Sequence, residues 1–208
     1  MSVSGNQRTK PNQTSNRTTD PIVSPISTDS MGEFLGLGLP LSVSDEMLID
    51  GLLSASCQFY IDYSNNELLS RTYTYKSDKY PTMQEGFGGL GLSPSVGKWW
   101  ISFDVWPVAS IESVTADEVL LVVTDDYTFD LDSKPSRLFL NDSYANNIAV
   151  EYTAGYATQE EIPRNVLTGI QLLTSYLYEH RGACDITNAI KDSGAEIMWC
   201  KDRMYLTL

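Results

Sequence analysis

The chain has 208 residues and a formal net charge of −13, from 27 acidic and 14 basic side chains. This length suits one domain of ordinary size plus extensions, and the 42% of hydrophobic residues are enough for a real core. Nucleic-acid binding through phosphate contacts is disfavoured, because such binding requires clustered Lys and Arg. The acidic residues are spread along the chain, which is typical of a surface that keeps a protein soluble. The alternative is that the acidic residues form the negatively charged wall of a channel, which DNA passes without binding.

Three cysteines, Cys57, Cys184 and Cys200, are widely spaced and form no CxxC pair. They indicate neither a zinc site nor a disulfide framework, and a reducing compartment suits them best. The N-terminus has no apolar segment of the secretory type, and no apolar run is long enough to span a bilayer. We therefore expect neither a secretory signal nor a membrane-spanning segment.

The N-terminal segment, residues 1 to about 30, is rich in Ser, Thr, Asn, Gln and Pro. It has almost no apolar residues, so it cannot bury a core and should be disordered on its own. We assign residues 1–43 to a polar, extended N-terminal arm.

The first helix is predicted to begin near Ser44, which suits the N-cap position because acidic residues follow in the first turn. Apolar residues recur at helical spacing over 48–63. The pair Asn65-Asn66 marks the expected end.

Residues from about 70 to 153 are predicted to form strands separated by turn residues. The predicted strands are 71–75, 99–105, 111–114, 119–123, 127–131, 137–140 and 148–152. A Gly-rich loop over 86–91 lies between the first two. We expect a β-hairpin or small antiparallel sheet inserted between helices.

The strongest helical pattern covers 163–181, with Pro163 at the first helical position and Gly182 as the stop. Val166, Ile170 and Leu173 lie on one apolar stripe, which predicts a central core helix. Residues 183–208 form a mixed tail in which 189–191 and 195–201 could each be short helices. The predicted fold class is therefore α+β, with a core over 44–182 between the arm and the tail.

The only histidine, His180, would have to serve any Ser-His-Asp or Cys-His mechanism. Its position at the end of a helix explains it as a capping residue instead.

The Gly-rich loop 86–91 lacks the Gly-Lys-Ser/Thr sequence and the following helix of a nucleotide-binding loop. An interface loop is the favoured interpretation.

An acidic cluster surrounds a predicted hairpin and makes a calcium site conceivable. Its members are Asp125, Asp126, Asp130 and Asp132. The EF-hand spacing is absent, and alternation places Asp130 and Asp132 on the solvent face of a strand. No catalytic residue, cofactor site or metal site is predicted, and we expect that the chain is not an enzyme.

The order of three stretches carries a resemblance to a known family. The first is the opening helix, 45–63, and the second comprises 106–114, 127–131 and 137–140. The third is the sequence Val150-Glu-Tyr-Thr-Ala-Gly-Tyr156, followed by Ile162-Pro163 and a helix ending in Leu177-Tyr-Glu-His-Arg181. Over residues 41–181 the sequence resembles the head–tail connector, or adaptor, proteins of tailed bacteriophages. In that family a V-x-Y-x-A-G-Y strand leads through an I-P step into a helix with a Y-E-x-R-like end.

The resemblance implies a structural virion protein at the head–tail interface, assembled in the cytoplasm of the bacterial host. It implies a ring, commonly of twelve copies, that binds the portal protein, joins downstream tail, nozzle or tail-fibre proteins, and surrounds a channel through which DNA passes. The C-terminal segment of such adaptors often reaches into the portal, so residues 183–208 become a portal-docking tail. The candidate portal contacts are Met198, Trp199, Arg203, Met204 and Tyr205. The family has no catalytic residues or cofactor to carry over.

The sequence departs from the family in its long polar arm and in its long loop over 81–98. Two alternatives stay open. One is a β-rich carbohydrate-binding module, in which Trp99 and Trp100 would stack on sugars. The other is a hydrolase with paired carboxylates, although no pair stands out in the sequence.

Overall fold

The computed structural model describes residues 13–17, 23–79, 99–141, 146–180 and 186–202. The helices are α1 (Thr28–Phe34), α2 (Val43–Ser64), α3 (Arg164–Glu179), α4 (Ile186–Asp192) and α5 (Ala195–Trp199). The strands are β1 (Gln13–Arg17), β2 (Arg71–Lys79), β3 (Trp99–Ser102), β4 (Val108–Ala116), β5 (Val119–Leu120), β6 (Tyr127–Asp130), β7 (Arg137–Leu140) and β8 (Asn146–Ala154). The predicted α+β class is confirmed, and β2–β8 lie between α2 and α3 as expected.

Helix α2 begins two residues earlier than its sequence suggests. The Ser42 hydroxyl, not that of Ser44, accepts a hydrogen bond from the Asp45 backbone N–H at 3.2 Å. The prediction of Ser44 as the N-cap is wrong because Ser42, two residues earlier, satisfies the same composition rule. The predicted end is confirmed, since Asn65 adopts the left-handed conformation (φ 56°) that commonly terminates helices.

The strands form two antiparallel sheets. The five-stranded sheet has the order β1-β2-β8-β4-β5, and the three-stranded sheet has the order β3-β7-β6. Strand β4 is longer than predicted because its pairing with β8 shifts register twice, which interrupts the simple alternation of side chains. Strand β1 was not predicted, since its sequence is polar and its pairing with β2 is a long-range contact.

The sheets share a core that is rich in aromatic side chains. Tyr73 and Tyr152 are cross-strand neighbours in β2 and β8, with ring centroids 5.6 Å apart. Phe103 lies 4.5 Å from the Tyr152 ring. These pairs add to the area that the sheets bury and join them into one β region.

Helix α3 is the central helix of a separate helical core. Its predicted apolar stripe of Val166, Ile170 and Leu173 is fully buried. Pro163 stands at the N-cap rather than at the first helical position, and the helix ends at Glu179. Gly155 connects β8 to the following segment with φ +107°, and a Cβ there would lie 2.6 Å from the Leu69 carbonyl carbon. This backbone conformation and the close approach of Leu69 both require a glycine at this turn.

The helical core draws residues from all three predicted segments. Met31 of α1, Leu53 of α2 and Trp199 of α5 are all fully buried in it. The extended arm predicted over 1–43 is therefore wrong for Thr28–Phe34, which folds as a helix on α2. Composition misled because the few apolar residues of this segment, Met31 above all, are enough to dock one short amphipathic helix. Residues 1–12 and 18–22 lie outside the described ranges.

Candidate assembly surfaces

The predicted tail contacts do not form one exposed group. Trp199 is fully buried, and its indole N–H donates to the Val166 carbonyl oxygen at 3.3 Å. Its ring meets the Tyr60 ring edge-on, with centroids 5.3 Å apart. Trp199 is thus a core residue, which corrects its prediction as a surface contact. Aromatic and Met content alone could not distinguish an interface anchor from a core anchor.

Met198 is half-buried, while Arg203, Met204 and Tyr205 lie outside the described residues. The exposed apolar residue of α5 is instead Ile197, which is 75% exposed. It was not predicted, although its position two residues before the buried Trp199 places it on another side of the helix.

Asp202, the last described residue, is bound by side chains from three separate places. Its backbone carbonyl oxygen accepts hydrogen bonds from Asn66 Nδ2 at 2.8 Å and from Lys134 Nζ at 2.7 Å. Its carboxylate accepts one from Asn165 Nδ2 at 2.7 Å. Lys134 also lies over the Trp106 ring, 4.4 Å from its centroid. We call Asn66, Lys134 and Asn165 the clasp. It was not predicted, because its members are scattered along the sequence.

Local burial and the charge of Asp202 shift the pKa values of neighbouring side chains. Burial raises the pKa of Tyr156 to about 12, and the negative charge of Asp202 adds to this. Burial likewise raises the pKa of Tyr60. Partial burial of the Lys134 ammonium lowers its pKa, while Asp202 acts in the opposite direction. At neutral pH both tyrosines are therefore uncharged.

A buried charge pair lies where α2 continues into β2. Glu67 is fully buried, and its carboxylate accepts a hydrogen bond from Tyr73 Oη at 2.5 Å. Arg71 Nε lies 3.5 Å from the same carboxylate. This network links the segment after the helical core to the first residues of the β region.

Eight exposed large apolar side chains fall into two groups along the chain. The hairpin patch consists of Val119, Leu120, Val122 and Val123, at and after β5. The helix patch consists of Phe34, Leu39, Val43 and Met47, around the end of α1 and the start of α2. Exposed apolar groups of this kind are typical of surfaces that other protein chains cover. Neither patch was singled out from the sequence.

The other candidate residues have local structural roles. His180 stacks on Tyr176 at 4.1 Å, and its Nδ1 lies 2.9 Å from the Tyr176 carbonyl oxygen at the end of α3. Asp126 Oδ2 accepts from the Val122 N–H at 2.7 Å, and Asp130 Oδ1 accepts from the Ser133 N–H at 3.2 Å. These carboxylates therefore stabilise turns.

Within the described ranges, no group of three or more His, Cys, Asp or Glu residues could hold a metal ion. No helix in the described part of the chain is long and apolar enough to cross a membrane. The Gly-rich loop 86–91 lies outside the described residues. Of the two tryptophans in the carbohydrate-binding alternative, Trp100 has the Arg137 guanidinium 5.7 Å from its ring centroid.

No protein-family model matches the sequence, and no curated protein matches it. Solved structures do share the fold. A chain from the neck of an empty gene transfer agent particle, computed with C6 symmetry, has a TM-score of 0.68 at 15% identity, covering 94% of this chain and 97% of that one. A chain from the virion of a native gene transfer agent particle has a TM-score of 0.65 at 16% identity, covering 93% and 97%.

A third chain comes from the neck of the native particle, computed with C12 symmetry. Its TM-score is 0.63 at 14% identity, and the match covers 94% of this chain and 97% of that one. At such low identity the likeness establishes the fold, and it does so over nearly the full length of both chains. This chain therefore has the fold of chains from phage-like particles, two of them from particle necks.

Proposed function

We propose that this protein is a structural head–tail adaptor of a phage-like particle, which forms a ring beneath the portal and surrounds the DNA channel. The observation that carries the proposal is the near-complete fold match to chains of gene transfer agent particles, including neck structures with C6 and C12 symmetry. The sequence resemblance over 41–181 supports the same role independently. The protein acts by shape complementarity and not by catalysis.

Ring closure requires two different surfaces on each copy, since neighbouring subunits in a ring meet head to tail. The hairpin patch and the helix patch supply two apolar surfaces on different parts of the fold. We assign them to contacts with neighbouring copies or with adjoining neck proteins. The net charge of −13 suits a channel wall that DNA does not adhere to.

We assign the portal contacts to Arg203, Met204 and Tyr205, together with Met198. Trp199 contributes indirectly, because it anchors α5 in the helical core. A deletion that begins at Ala195 would remove this anchor and disturb the core. Deletion of 203–208 is the appropriate test, since all described core contacts stay in place.

Native mass spectrometry of the purified chain, alone and mixed with the portal protein from its own source, tests the proposal. We expect the full-length chain to form a discrete cyclic complex with the portal. The measurement is then repeated with the chain that lacks 203–208. The shortened chain should keep its thermal unfolding midpoint and lose portal binding. A full-length chain that stays monomeric and ignores the portal would contradict the adaptor role. Undiminished docking of the shortened chain would contradict the tail contacts alone.

A further inference from the structure

Helix α2 carries apolar side chains on two sides. Ile49 and Leu53 are fully buried in the helical core. Val43 and Met47 are the most exposed members of the helix patch, each 73% exposed. A surface helix normally has one apolar side, which faces the core of its own protein. The second apolar side of α2 therefore indicates contact with another molecule.

The outer side of α2 continues from apolar into polar residues. Four residues follow one another at intervals of four, three and four positions, which places them along one side of the helix. They are Val43, Met47, Asp50 and Ser54. At about 1.5 Å per residue they extend over roughly 16 Å. We call these four residues the outer row.

The polar end of the outer row borders a groove of about 380 Å³. Asp50 and Ser54 line this groove together with residues that precede or begin α1, among them Ser24, Ser27 and Thr28. Asp50 is exposed, and it is the one charged residue among the described residues that line the groove. Carboxylate and hydroxyl oxygens accept hydrogen bonds from ammonium and guanidinium groups. The groove therefore suits a Lys or Arg side chain.

The charge around the outer row has a single sign. Residues 28–50, which form α1 and the start of α2, contain five acidic residues and no Lys, Arg or His. They are Asp29, Glu33, Asp45, Glu46 and Asp50. A second copy would bring a net charge of −13, and its own hairpin patch also has acidic neighbours. Because like charges across a contact are costly, the outer row suits a basic partner better than a second copy.

We propose that the outer row binds a segment of an adjoining neck protein, distinct from this chain, that carries apolar side chains and a Lys or Arg. The apolar side chains cover Val43 and Met47, and the cation enters the groove at Asp50. The inference rests on the proposed function, and it assigns the helix patch to a second kind of protein rather than to a neighbouring copy.

Photo-cross-linking in the assembled particle tests this contact. Met47 is replaced by the photoreactive residue p-benzoylphenylalanine, particles purified from the protein's own source are irradiated, and cross-linked peptides are sequenced by mass spectrometry. Asp62, which is exposed and lies about 22 Å further along α2, is the control position. We expect the Met47 position to cross-link to an apolar, Lys- or Arg-bearing peptide of another particle protein, and the control position not to. Val43 is the second position if the Met47 variant does not fold.

A synthetic peptide with the cross-linked sequence then gives dissociation constants for the full chain. Asp50→Asn should weaken binding about fivefold, the size of a favourable ion pair near a surface. Val43→Ser combined with Met47→Ser should weaken it at least about tenfold, because two apolar side chains are no longer buried by the partner. Asp62→Asn is the matched control and should change the affinity less than about twofold.

A cross-link from Met47 to this chain itself would show that a second copy covers the helix patch, which would overturn the inference while the adaptor role remained. A cross-linked peptide without a basic residue, no cross-link from Met47 or Val43, or an unchanged affinity of Asp50→Asn would also overturn it. A chain that is absent from purified particles would overturn the proposed function and this inference together. Thermal unfolding of each variant separates misfolding from loss of docking.

Discussion

At the scale of single residues, the missing side chain of Gly169 leaves the space in which the Trp199 indole is buried. Gly169 lies in α3 where the Trp199 indole crosses the helix, and a Cβ there would lie 2.7 Å from Trp199 Cε2. Real Cβ atoms do not approach other atoms so closely. Gly169 is therefore a packing residue, despite the cost of a glycine inside a helix.

Gly169→Ala should lower the free energy of unfolding by about 1 kcal/mol, since overpacking a core costs about 2 kcal/mol and the gain in helix propensity offsets about 1 kcal/mol of it. Urea unfolding followed by circular dichroism measures the change. Gly51→Ala is the matched control, because Gly51 is exposed in α2 with no atom near its missing Cβ. It should stabilise the protein slightly. A stabilising Gly169→Ala would mean that Trp199 is not packed there.

The thiol of Cys57 should be unreactive towards thiol reagents in the folded protein. Burial raises its pKa to about 12, so almost no reactive thiolate exists near pH 8. Cys200 is exposed. In a Cys184→Ser background, a thiol reagent should label one cysteine in the native state and the second only after denaturation. Labelling of both at one rate in the native protein would contradict the burial of Cys57.

At the scale of elements, α2 begins where a side chain accepts a hydrogen bond from one of the free backbone N–H groups of the first turn. Ser42 accepts from the Asp45 N–H, while the Ser44 hydroxyl contacts that of Ser42 at 3.0 Å. The acidic side chains of the first turn add favourable charge near the start of the helix.

Ser42→Ala should destabilise the protein by about 1 kcal/mol, as loss of an N-cap does. Ser44→Ala is the control and should change the free energy of unfolding by less than about 0.5 kcal/mol, as surface substitutions do. Paired thermal melts of the two variants decide between the positions. A larger loss of stability in Ser44→Ala than in Ser42→Ala would show that Ser44 is the N-cap, as the sequence predicts.

At the scale of the whole molecule, apolar attraction between copies competes with charge repulsion. The hairpin patch is flanked by Asp117, Glu118 and Asp125, and the helix patch by Glu33 and Asp45. With a net charge of −13, copies repel one another when ionic strength is low.

Self-association should therefore increase with salt. Raising ionic strength from about 0.01 M to about 1 M shortens the Debye length from about 30 Å to about 3 Å, which removes most of the repulsion. Sedimentation analysis across this range should show growth of an oligomer. Val119→Ser combined with Val122→Ser should weaken it, whereas Val23→Ser, at another exposed apolar position, should not. Association that falls with salt would show that ion pairs hold the copies together.

Most of the elements were predictable because their signals are local. The strands around 137–140 and 148–152 alternate, and the stripe of α3 recurs every three or four residues. The site was much less predictable. Arg203, Met204 and Tyr205 remain predictions, and Trp199 belongs to the core, because composition does not say which side of a short helix faces inward.

The sequence by itself determined the α+β class, the extents of α2 and α3 to within two residues, and the succession of strands β2 to β8 along the chain, since each depends on neighbours within a few positions. Only the tertiary structure decided that α1 and α5 join the helical core and that Asp202 is held by Asn66, Lys134 and Asn165. Asp202 lies 136 residues from Asn66 in the chain. A contact at such a separation leaves no periodic trace in the sequence, because it depends on how complete elements pack and not on the pattern within any one of them.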